Sequence, residues 1–219
     1  MKEYQDLINR YSLKGYDMYS RSISRSEWGD LKKGEEYLAK YWLSSEEYQS
    51  VSEPIFEKIF DNQKIGLPNL VFSEEFDLLV LEGGCLFVEE DFIKLQKCIL
   101  QLGDNFLFIV ENDFGGSLEE PTFRMKFPAD ISWQELNSGN FVSSTLLESI
   151  HKEYFVFGEG GLWGKYSAND YDFPLDIIGF KADNKGIFLA EFMQSGDEQN
   201  NIKKYLPQEY VSKLVIQNR

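Results

Sequence analysis

Residues 153–180, EYFVFGEGGLWGKYSANDYDFPLDIIGF, crowd glycines among aromatic and β-branched side chains. Glycine accepts positive φ without steric cost, whereas aromatic and β-branched residues favour a pleated, half-buried surface. The block therefore predicts a tight turn between two strands of an aromatic sheet, with Gly158, Gly160, Gly161 and Gly164 following the first strand. Trp163 then serves either as a core anchor of the sheet or as an aromatic contact on a binding face. Its flanking glycines favour folding the indole inward, which leaves Glu159, Lys165, Tyr166 and Asp170 outside.

The same glycines invite comparison with phosphate-binding loops, and the spacing fails. A dinucleotide fingerprint of the form G-x-G-x-x-G begun at Gly158 needs glycine where Trp163 stands. A P-loop ending at Gly164-Lys165 has Glu159 in place of its first glycine and Tyr166 in place of the metal-reaching hydroxyl. Nucleotide binding is not expected.

Other constellations are as thin. The single histidine, His151, cannot supply a zinc pair or an H-E-x-x-H helix, and it reads as the basic end of a helix. Cys85 beside Gly84 could pair with His151 as a nucleophile, but a lone cysteine in an apolar run reads as a small buried hydrophobe. Carboxylates are plentiful: Glu111 and Asp113 follow a predicted strand, and Asp170, Asp172 and Asp176 surround Pro174. Such groups can act as an acid–base pair or hold a hard cation, yet no calcium-loop pattern is present, and solvated loop carboxylates are the simpler reading. No cofactor or metal is expected.

A chain of 219 residues that is 42% hydrophobic can bury enough apolar surface to offset its ordering entropy, so a folded protein is expected. The formal net charge is -15, and the longest basic runs are the pairs Lys32-Lys33 and Lys203-Lys204. That balance argues against direct nucleic-acid binding and for basic partners, if the partners are charged. Two cysteines are too few for a disulfide framework. The first residues, MKEYQDLINRY, interleave charges where a signal peptide needs an apolar run, and no apolar run approaches bilayer length. A soluble, cytoplasmic protein with no membrane association is the expectation.

Helical spacing marks residues 2–14, a second helix around Tyr37, Leu38, Tyr41 and Trp42, and a third opening at Ser52-Glu53-Pro54. A soft boundary near residue 66 separates this helical part, 1–65, from a sheet-bearing part, 66–219, within what is expected to be one unit. There, 77–82 reads as a strand, with a helix over 74–82 as the alternative; 89–102 reads as a helix and 105–111 as a strand buried on both faces. Residues 143–152 read as a short helix and 154–157 as a strand. Residues 176–182 and 187–193 flank the turn signal Asp183-Asn184-Lys185-Gly186, which predicts a hairpin; one or two short helices interrupted by Pro207 close the chain. The fold class that follows is α+β, with a helical N-terminal third packed on a mixed, largely antiparallel sheet.

With these segments in place, FGEGGLWGKY followed by an acidic loop and PLDIIGF resembles the sheet segment of bacterial SUKH-type immunity proteins. The glycine pair after Glu75-Phe76-Asp77-Leu78 is similar to their glycine turn, so the likeness covers 67–84 and 153–193. It implies a protein without catalysis of its own that neutralises a toxin domain by binding it. On that reading a basic toxin domain, or another protein, meets Glu159, Trp163, Lys165, Tyr166, Asp170, Tyr171 and Asp172, the acids steering the encounter and the aromatics anchoring it. The alternatives are a carboxylate-based enzyme or small-ligand domain using Glu111, Asp113, Asp170 and Asp172, and a scaffolding partner.

Overall fold

The computed structural model describes residues 31–61, 66–83, 86–112, 124–138, 142, 153–168, 175–192 and 200–215. In chain order the helices are α1 (Leu31–Tyr41), α2 (Ser45–Glu47) running through a π-helical turn (Tyr48–Ser52) into α3 (Glu53–Ile59), α4 (Glu89–Leu102), α5 (Trp133–Leu136), α6 (Lys185–Glu191) and α7 (Gln208–Lys213). The strands are β1 (Phe76–Glu82), β2 (Phe106–Glu111), β3 (Arg124–Pro128), β4 (Tyr154–Gly158), β5 (Trp163–Ala168) and β6 (Leu175–Lys181). They form one sheet in the order β1-β6-β5-β4-β2-β3, and every ladder is antiparallel. The chain is thus α+β, with helices from its first third packed on the sheet.

Both faces of the sheet are covered, and strand alternation divides the core accordingly. Leu107, Ile109, Val156, Trp163 and Phe180 join the layer built with α1, α4 and α6. Phe108, Val110, Phe155, Phe157, Tyr166 and Ile177 join the layer built with α3 and α7. A strand buried on both faces needs apolar residues at successive positions, which is why β2 reads FLFIVE rather than as an alternation.

Local chemistry sets the helix ends. α4 opens with Glu89, Glu90 and Asp91 in the positive field of its N-terminus and stops at Gly103, whose φ of 82 is the left-handed cap conformation. α2 begins with a capping box in which the Ser44 hydroxyl accepts from the Glu47 amide while the Glu47 carboxylate accepts from the Ser44 amide. Pro54 sits in the first turn of α3, where its missing N–H costs nothing.

On the α3 side, Gly164 and Gly179 face each other across β5 and β6 and leave a trough in the sheet. A Cβ on Gly164 would come within 2.5 Å of the Phe60 ring, and one on Gly179 within 2.4 Å of Phe72. The sheet's two outer strands are also met. Trp42 bridges Met125 on β3, and Leu214 bridges Leu78 on β1, where the Val215 amide donates to the Leu78 carbonyl at 2.9 Å.

Several expectations change. Asp183-Asn184-Lys185-Gly186 does not turn a hairpin: a 3-10 turn (Ala182–Asn184) leads into α6. Phe188 and Phe192 lie one helical turn apart and are both buried, and the Phe188 ring stacks on Phe180 at 4.7 Å, so packing overrides the turn signal. Of the two readings of the segment before Gly83, the strand holds, since 76–82 pairs along its whole length with β6. β3 and α5 had no counterpart in the sequence reading. The helices expected at 2–14 and 143–152 lie outside the described residues.

Candidate functional site

The glycine-rich turn does cradle an acidic group, and that group is the chain's own Asp104 carboxyl. The Gly160 amide donates to Asp104 Oδ1 at 2.7 Å and the Trp163 indole N–H donates to Oδ2 at 2.8 Å. Gly158 leaves the space for this contact, because a Cβ there would stand 2.0 Å from Asp104 Oδ2. Gly161, at φ 65, closes the turn in the left-handed region. Burial holds the Asp104 carboxyl above its ordinary value; the indole and amide donors pull it back, and nearby Glu159 pushes it further up. Glu159 itself accepts from the Asn105 amide and side chain at 2.7 and 2.6 Å, which ties the turn to the start of β2.

On the α4 face of the sheet lies a buried polar network. Lys165 Nζ is 2.9 Å from Asp176 Oδ2, donates to Ser167 Oγ at 2.7 Å and to the Leu86 carbonyl, and stands 4.8 Å from the centre of the Phe87 ring. Ser167 in turn donates to Asp176 Oδ1 at 2.8 Å. Register builds the set, because Ser167 and Asp176 are cross-strand partners and Lys165 lies two residues back on the same face. Burial drives the Asp176 carboxyl up, Lys165 and Ser167 draw it down, and Asp91 on α4 adds to the rise.

Serine beside lysine suggests nucleophilic chemistry, but the polarity runs the wrong way. The ammonium is held by a carboxylate and points its protons at the serine oxygen, so it offers no amine lone pair to activate Ser167. What the network does is fasten the Leu86-Phe87 turn to β5 and β6.

A third polar contact joins Tyr166, whose hydroxyl donates to Glu153 Oε2; the same oxygen accepts from Asn112 Nδ2 at 2.7 Å. Burial and the Glu153 carboxylate hold the Tyr166 phenol well above its ordinary value.

These positions correct the expected binding face. Lys165 is 2% exposed and Tyr166 0%, because β5 lies inside a sheet covered on both sides and has no outward face. Trp163 is also fully buried, as its glycine neighbours favoured, which rules out the exposed contact. Glu111 is buried at the end of β2 rather than solvated. Asp113, Asp170, Tyr171 and Asp172, with Cys85 and His151, lie outside the described residues.

The surface does carry a candidate that sequence reasoning did not assemble. An open cleft of about 920 Å³ lies between α3 and α7. Phe60, Leu70 and Phe72 line it, with Glu57, Asp61, Glu74 and Glu209 around them. Lys213 is the one cation lining it among the described residues, and its ammonium donates to the Glu74 and Phe76 carbonyls. Only Glu57, on α3, and Asp61, two residues past the end of that helix, are close in sequence; Glu74 and Glu209 are brought to them only by the tertiary fold.

Among the described residues no group of three or more histidine, cysteine, aspartate and glutamate side chains is placed to hold a metal ion, and no helix is long and apolar enough to cross a membrane. No protein-family model, curated protein or solved structure matches the chain.

Proposed function

We propose that this chain is an acidic binding protein of the immunity type, which neutralises a basic toxin domain by direct contact. The observation that carries the reading is the α3–α7 cleft, which among the described residues is lined by four carboxylates and one lysine, in a chain whose net charge is -15. A field of that sign steers a basic partner toward the cleft, and complementary charges fix its register on arrival. The resemblance of 67–84 and 153–193 to SUKH-type proteins points to the same class.

The test is binding to basic toxin domains, beginning with any encoded beside this chain, at about 0.05 and about 0.5 M salt. Affinity for the true partner is expected to fall with salt, and to fall at least about tenfold in the Glu57→Lys/Glu209→Lys variant at low salt. Binding that ignores both salt and the variant would remove the cleft from the reading, and failure of every basic toxin domain to bind would remove the reading itself.

A further inference from the structure

We draw no further inference here: the strongest candidate, the buried Lys165–Ser167–Asp176 network beneath the Leu86-Phe87 turn, belongs to the site already described and closes its hydrogen bonds within the protein, so nothing in the structure points to a ligand for it.

Discussion

The Trp163 indole N–H and the Asp104 carboxylate meet at 2.8 Å in the buried interior, joining the start of β5 to the loop before β2. Removing the indole leaves a large void and strips the carboxylate of one of its two donors. Trp163→Ala is therefore expected to cost about 3–5 kcal/mol in urea unfolding, and Trp163→Phe, which keeps most of the volume, clearly less. Equal losses would mean that the hydrogen bond, not the packing, dominates.

Asp104 also sets a pH dependence. Its folded carboxyl is raised, so the native state keeps a proton that the unfolded chain has released; the stability this gives is present at low pH and is lost as pH climbs through the raised value. Asp104→Asn has no such proton, so its cost is expected to shrink as pH rises from about 4 to about 8. Unfolding midpoints across that range decide it, and a cost that grows toward alkaline pH contradicts the raised carboxyl.

Lys165 and Asp176 should behave as a unit. Breaking a buried pair leaves an uncompensated charge, so Lys165→Met or Asp176→Leu alone is expected to cost about 3–5 kcal/mol. Lys165→Met/Asp176→Leu should cost much less than the sum of the two single losses. A double-mutant cycle measured by denaturation checks this, and simple additivity would show that the two side chains do not interact.

The trough formed by Gly164 and Gly179 makes an unusual sign testable. Alanine for glycine inside a strand ordinarily gains about 0.5–1 kcal/mol. Here the new Cβ of Gly179→Ala would meet a buried Phe72 ring at 2.4 Å, and overpacking of that kind costs about 1–3 kcal/mol. The net effect is a loss, and Phe72→Leu in the same background should recover part of it. A thermal melt showing stabilisation by Gly179→Ala alone would contradict the close approach.

Cys98 is buried on the inner face of α4, with Sγ 3.7 Å from the Ile187 carbonyl. Burial, and then the charge of Glu191, pushes its thiol up to about 12. Since the thiolate is the reactive form, its population near pH 8 falls roughly a thousandfold against a free cysteine. In a Cys85→Ser background, labelling by a disulfide reagent should therefore wait for unfolding and follow the urea transition. Rapid labelling of the native protein would place Cys98 at the surface.

What could be read from the sequence was what neighbouring residues decide. α4 and β2 emerge almost at their expected bounds, because an acidic first turn, a helical apolar stripe and a continuous apolar run are local signals. Trp163 turns inward for a reason visible in its own flanking glycines. Lys165 defeats such reading, because what makes its burial tolerable comes from Asp176 and the Leu86 carbonyl, on other elements. β3 was missed for a similar reason: RMKFP opens with an arginine that looks solvated, yet Arg124 is buried with its guanidinium donating to the Leu43 carbonyl and the Ser45 hydroxyl. The cleft draws on residues from 57 to 213, a separation at which no spacing rule operates.

The strand order has a consequence for the time at which the chain can fold. β1 has one neighbour in the sheet, β6, and its other side is bridged at Leu78 by Leu214. On the ribosome, then, β1 emerges before the other described strands and acquires its partner only after all of them. Between residues 82 and 175 lie roughly 90 positions, so at about 5–20 residues per second the nascent segment FDLLVLE waits on the order of 5–20 s. Throughout that interval a mostly apolar strand lacks its native ladder, and any chain released before β6 is made carries it without that partner.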